Sequence, residues 1–293
     1  MIKRVMVPGI IMGMVLGLLS NGVLAVSPPD VTLSSETIGQ GDLCLILVSV
    51  EKGEVPHVTW RKRKIHLVPD GQKTLWYGFL SADLKAKKGD FKVVVRVRPQ
   101  GTEEQFSLGV SEKSYGVRRL TLPKKMVDLD KKTLARARRE SRAMKALWSA
   151  APAAPLWRGA FLKPVPGDVA GPFGRASIIN DQPRSPHSGV DLRGKKGTPV
   201  AATNHGKVVL IGDHFFTGLT VVIDHGGGIQ SMYFHLDKIL VKKGDMVDKG
   251  QVIGNVGSTG RSTGPHLHWG IRVNGDRVDP IRLTEISRGV EER

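Results

Sequence analysis

One cysteine, Cys44, stands in 293 residues. A lone thiol forms no internal disulfide, so stability has to come from a packed core or from a metal. Aromatic residues are scarce at 5%, and none interleave with the basic residues as a stacking platform for nucleic acid would require. Acidic residues are outnumbered, 27 against 44 Lys and Arg, for a net charge of +17 and a pI near 10.1. That imbalance points to a polyanionic neighbourhood, such as nucleic acid, anionic lipid or a bacterial wall polymer. Charge alone does not choose among them. Uncharged apolar sequence is long in one place only, between Val5 and Pro29.

That stretch follows Lys3 and Arg4 and ends on the small residues Val23 and Ala25. The layout predicts a secretory signal peptide over residues 1–25, with an uncleaved membrane anchor as the alternative. Export in turn excludes a nucleic-acid partner and leaves an envelope polymer. Cys44 lies too far from this segment to be a lipidation site.

Chain length leaves room for two domains, and a 40% hydrophobic content with 35 glycines describes a turn-rich globular protein. Residues 27–122 read as short strands, among them LCLILVSV (43–50), HVTW (57–60) and FKVVVRVR (91–98). They predict an immunoglobulin-like β-sandwich accessory domain, although the Cys–Trp–Cys signature of true members of that class is missing. RKRK (61–64) is expected at a solvated hairpin tip rather than on a polyanion. Residues 128–156 read as helix and linker. From Asp130, a good N-cap, Leu134, Ala137, Met144, Leu147 and Trp148 fall near one face, and Lys131, Lys132, Arg136, Arg139 and Arg142 cover the rest. A solvated helix packed on a neighbouring domain is expected, ahead of a contact with lipid or wall polymer. SAAPAAP (149–155) breaks it.

Residues 157–285 change texture, with short apolar runs separated by glycines and no evident helical period. They predict an antiparallel β domain of hairpins, so that the whole chain is mainly β. Within it lie HSGVD (187–191) and GPHLHWG (264–270). On a strand, residues two apart share a face, so His266 and His268 point one way and Leu267 the other. His187 and Asp191 share a face too, and Gly189 between them contributes no side chain. Three ligands from this set of three imidazoles and a carboxylate, with one histidine to spare, suit zinc, which takes N and O ligands at roughly 2.0–2.2 Å and, in catalytic sites, three from the protein.

The order FG (173–174), HSGVD, GTPV (197–200), YFHL (233–236), GQVIG (250–254), GPHLHWG and VDP (278–280) resembles the LytM/lysostaphin-type zinc endopeptidases of bacterial cell walls. The resemblance implies one Zn²⁺ per chain held by His187, Asp191 and His268, with His266 as general base and His235 holding the water or the developing oxyanion. It further implies hydrolysis of peptide stems or cross-links of peptidoglycan, in the periplasm or cell envelope, with anionic envelope polymer as a further partner. Trp269-Gly270 departs from the aromatic-Glu pair of many members, which touches the support of a ligand rather than the ligands. Zinc lowers the pKa of a bound water from 15.7 to about 7, and a neutral histidine can take the proton released. A non-catalytic envelope scaffold or amidase-activating LytM-like protein is the alternative. A biotin- or lipoyl-carrier-like domain, suggested by VKKGDMVDKGQVIG (241–254), lacks an exposed hairpin-tip lysine and has no use for H-x-H. His57, His66, His205, His214 and His225 are expected to be structural or superficial. Tyr233 is equally suited to groove or core, and the loop 257–264, with Arg261, to a substrate border or a plain connection.

Overall fold

The computed structural model describes residues 29–99, 101–121, 129–149 and 154–291. The predicted signal peptide, and part of the segment after Ser149, lie outside these residues. Among the described residues no helix is long and apolar enough to cross a membrane.

Ten strands form the first part: β1 (Asp30–Leu33), β2 (Thr37–Gly39), β3 (Leu43–Ser49), β4 (Val55–Trp60), β5 (Arg63–Ile65), β6 (Val68–Pro69), β7 (Leu75–Ser81), β8 (Gly89–Arg98), β9 (Glu103–Ser111) and β10 (Val117–Leu120). Two sheets, β1-β3-β7-β6 and β2-β9-β8-β4-β5, enclose a core of Cys44, Ile46, Val48, Val58, Trp60, Leu80, Val93, Val95 and Leu108. This is a β-sandwich. β8 alternates as its sequence predicts, with Val93, Val95 and Val97 buried and Arg96 and Arg98 exposed. β3 does not alternate, because both its faces are covered. Cys44, Ile46 and Val48 face the sandwich, while Leu43, Leu45 and Leu47 join the core of the second part.

RKRK does sit at a hairpin tip between β4 and β5, with Arg61 and Lys62 at φ of 48° and 64°. Lys62, Arg63 and Lys64 are exposed as expected, and Arg61 is half-buried. Arg61 lies over the Trp60 and Phe91 rings, and Arg63 pairs with Asp276 at 2.9 Å.

The helix α1 (Lys131–Ser149) starts where Asp130 predicts it, the carboxylate Oδ1 accepting from the Thr133 N–H at 2.8 Å. Ala137 is buried and Met144, Leu147 and Trp148 pack against Val222, Met232 and Phe234, whereas Leu134 remains 36% exposed. Glu140 ties the helix down by accepting from the Phe215 N–H and from Arg136.

Strands β11 (Val169–Gly171), β12 (Ala176–Ile179), β13 (Gln182–Arg184), β14 (Val190–Arg193), β15 (Pro199–Ala201), β16 (Gly206–His214), β17 (Gly218–Asp224), β18 (Ile229–Ile239), β19 (Met246–Val247), β20 (Val252–Val256), β21 (His266–Val273) and β22 (Asp276–Val278) follow. All but β12 and β13 belong to one ten-stranded antiparallel sheet with the spine β11-β14-β21-β18-β17-β16-β19. The helix α2 (Pro280–Glu291) closes the chain. It lies in a region read above as all-β and ending at 285. Its signals were present: Asp279 Oδ1 caps the Ile281 N–H, Pro280 opens the first turn, and Leu283, Ile286 and Val290 recur at helical spacing.

Candidate metal centre and catalytic cleft

Register assembles the site. β14 runs antiparallel to β21 with Asp191 opposite His268 and Arg193 opposite His266. Directly opposed residues stand about 4.5–5.5 Å apart at Cβ, so their side chains meet on one face. His187 arrives from the segment just before β14. Its Nε2 lies 3.0 Å from Asp191 Oδ1 and 3.0 Å from His268 Nδ1, and His268 Nδ1 lies 3.0 Å from the same oxygen. Three ligand-type atoms thus form a triangle.

Two glycines make room for it. A Cβ at Gly189 would meet His268 Nε2 at 2.7 Å and press on the Trp269 carbonyl; one at Gly171 would collide with the Asp191 carboxylate. Only a residue without a side chain lets these backbones approach.

The protons identify the lone pairs. His187 Nδ1 is 3.0 Å from the Pro172 carbonyl oxygen, which can only accept, so Nδ1 carries the hydrogen and Nε2 of the neutral ring is bare. Bare Nε2 therefore faces the Asp191 carboxylate, lone pair against lone pair. A proton on His268 Nδ1 satisfies one edge of the triangle, and a cation at its centre satisfies all three. An N₂O set of this kind matches zinc, whose tetrahedral ligand edge is about 3.3–3.6 Å, a few tenths wider than the spacing here. The residues fit the ion. Burial alone would push the Asp191 carboxyl up; positive charge at the triangle, on His187 and His268 when they are protonated, outweighs it and holds it well below the usual range. Burial pushes His268 down, toward the neutral form a ligand needs. Phe234 stacks on the His268 ring at 5.1 Å with 4° between planes. Where many LytM-like chains have a Glu after the aromatic residue, Gly270 here packs beside Met232.

His266 and His235 lie next to the triangle, their ring centroids 4.8 Å apart. His266 Nε2 is 3.7 Å from Asp191 Oδ1, and its Nδ1 is 2.9 Å from the Gly264 carbonyl. His235 Nδ1 donates to the Thr259 carbonyl at 2.8 Å. Both rings thus keep a bare Nε2 turned into the cleft. The loop 257–264 is no plain connection: two of its carbonyls fix the tautomers of two histidines. His235 sits at φ 62°, where β18 shifts register against β17, and a second shift, against β20, follows between Leu236 and Lys238. A non-glycine residue at that φ is strained. The irregularity breaks the alternation, so that Phe234 and His235 both reach the cleft. Burial, ahead of the neighbouring charges, lowers the His235 pKa to about 4.

The structure therefore brings together all five predicted residues, His187, Asp191, His235, His266 and His268, around a cleft of about 340 Å³. Tyr233 belongs to the core: fully buried, its hydroxyl accepts from the Thr203 N–H and meets Ser231 Oγ. His225 is equally internal, between the His205 carbonyl and Ser231 Oγ, and His205 pairs with Asp248 at 3.2 Å. His214 ends β16 rather than lying in a loop, and lines a second cleft under α1. No local pattern announces Arg118 and Leu120, which reach the cleft from the first part of the chain. β10 pairs in parallel with β12, a contact between residues some sixty apart that no local pattern encodes.

Comparison with known proteins agrees with this geometry. The model of peptidase family M23 matches residues 185–280. The peptidoglycan DD-endopeptidase ShyA of Vibrio cholerae is 47% identical over 98 residues, which are 33% of this chain and 23% of that protein. The DD-carboxypeptidase/endopeptidase Mpg of Neisseria meningitidis serogroup B is 44% identical over 97 residues, 33% of this chain and 22% of that one. The chain thus spans less than a quarter of the length of these curated relatives. A crystal structure from Pseudomonas aeruginosa, described as a peptidase M23, is similar over 83% of this chain and 93% of its own, with 35% identity and a TM-score of 0.63. A likeness that runs through both modules, and not the catalytic segment alone, shows that this chain belongs to peptidase family M23.

Proposed function

We propose that the protein is an exported zinc-dependent endopeptidase that hydrolyses peptide stems or cross-links of peptidoglycan. His187, Asp191 and His268 hold the ion, His266 acts as general base, and His235 assists. The observation that carries this reading is the triangle of ligand atoms, in which the bare His187 Nε2 faces a carboxylate oxygen at 3.0 Å. The names of the Vibrio and Neisseria relatives support peptidoglycan as the substrate class, and the charge of +17 suits an anionic wall.

Bound at this site, zinc supplies a Lewis acid and brings the pKa of a water down to about 7. The chain's own groups do the rest. His266, anchored through Nδ1 on the Gly264 carbonyl, takes the proton of the attacking water at Nε2 and passes it to the leaving amine. His235 is anchored the same way on Thr259, so its neutral ring offers an acceptor at Nε2. Of the two duties left open by the sequence, holding the water therefore suits it better than donating to the oxyanion, which would need a second proton that burial opposes. Phe234 and Phe216 contribute apolar surface to the cleft.

Purified sacculi incubated with the full-length protein test the proposal. Muropeptides released without chelator, absent with it and restored by added zinc, are the expected result. No release by protein carrying stoichiometric zinc would reject it and favour the non-catalytic envelope role.

A further inference from the structure

The catalytic cleft has two arginines that the chemistry above does not use. β10 brings Arg118 to its lining, and the loop 257–264 brings Arg261. Arg118 is placed by pairing: it stands opposite Ser177 in β12, just as Leu120 stands opposite Ile179, and both Leu120 and Ile179 line the same cleft. Its Nε is buried and has no hydrogen-bond partner among the described residues. A buried N–H without an acceptor is costly, and a guanidinium fork fits a carboxylate in two-toothed fashion. The Arg261 guanidinium lies 4.4 Å over the Phe216 ring, which fixes its plane at the cleft edge. Burial, ahead of the like charge of Arg184, disfavours the Arg261 cation. Among the residues lining the cleft, Asp191 is the single acid, and its Oδ1 is engaged by His187 and His268.

We propose that Arg118 and Arg261 form a subsite for a carboxylate of the peptide substrate, borne on a side chain or at a C-terminus close to the scissile bond. Arg118 lies outside the segment 185–280 that matches the family model, so the accessory part of the chain takes a share in choosing the substrate. The inference rests on the peptidase reading above and deepens it.

Three synthetic peptides test it: a stem-like peptide with both carboxylates free, one with the side-chain carboxylate as carboxamide, and one with the C-terminus amidated. Hydrolysis by the zinc-loaded full-length protein gives kcat and KM for each, and calorimetric titration of the metal-free protein gives binding without turnover. Amidating the recognised carboxylate is expected to raise KM and Kd roughly 10–100-fold, with a smaller change in kcat. Which amide does so identifies the source. In Arg118→Gln the acid-to-amide ratio should fall toward one; Arg118→Lys, which keeps charge but loses the fork, should fall between. Thermal melts show whether each variant is folded. Equal treatment of all three peptides by the unaltered protein overturns the subsite, as does full discrimination by folded Arg118→Gln. If binding discriminates but no peptide is cut, the subsite stands and the peptidase reading fails. If peptides are cut without discrimination, the reverse holds.

Discussion

At position 189 the absence of a side chain is a structural requirement. Gly189→Ala would drive a methyl onto His268 Nε2 and the Trp269 carbonyl. Overpacking of this kind costs about 1–3 kcal/mol, and here the strain falls on a proposed ligand. The variant should melt earlier and bind zinc more weakly, as read by calorimetry and by competition with a chromophoric chelator. The two histidines of H-x-H separate by role. His268→Ala is expected to lose both metal and hydrolysis, while His266→Ala keeps stoichiometric zinc and loses roughly 10²–10⁴ in rate. Metal analysis beside a kinetic assay distinguishes them; loss of zinc from His266→Ala would contradict the assignment. His187, Asp191, His266 and His268 were legible in the sequence from motif spacing, and His235 only through the family resemblance. Their anchors were not: the carbonyls of Pro172, Thr259 and Gly264 come from loops, and a backbone carbonyl leaves no mark in composition.

Among elements, β18 shows how a strand can serve two ends. Toward the core it presents Ser231 and Tyr233, linked to the fully buried His225; two residues later its distortion turns His235 outward. Burial lowers the His225 pKa to about 4. The unfolded chain, with a histidine near 6.5, binds the proton more readily than the folded one between those limits. The stability that His225 lends is therefore complete above about pH 6.5 and is lost as pH falls to about 4, amounting to about 3 kcal/mol. Melting temperature followed across that window should drop in the native protein and drop less in His225→Gln. Alternation misleads at this strand: by period two, Tyr233 and His235 share a face, and only the left-handed turn at His235 parts them. A helix such as α1 was easier to foresee, because Asp130 caps it and its apolar face repeats every three to four residues. The strand β10 falls where strands were expected, but its pairing with β12, far along the chain, was the hardest feature to foresee.

On the scale of the whole molecule, the two parts share one core. Leu43, Leu45, Leu47, Tyr77 and Phe79 from the sandwich and Trp157, Phe161 and Ile271 from the second part belong to a single cluster. Trp157 stands between them, 5.6 Å from Tyr77 and 5.4 Å from Phe79 by ring centroids. Charged contacts surround it: Arg277 binds Asp83 through two nitrogens, and Arg63 and Ser81 share Asp276. Calorimetry should accordingly show one cooperative transition for both parts. Trp157→Ala should lower it by about 3–5 kcal/mol; two resolved transitions would show the parts to be energetically separate. The uninterrupted LCLILVS of β3 held a hint of this arrangement, since a strand apolar at every position needs cover on both sides. What lay on the second side could not be read from it.

A greasy seam of this kind has a consequence for proteolysis. Cutting the chain between α1 and Trp157 would sever the peptide link yet leave the halves glued, so a nicked preparation should travel as one species on a sizing column and come apart only in denaturant. Maturation by a single cleavage there would accordingly release nothing: the wall that carries Arg118 would stay with the cleft it borders.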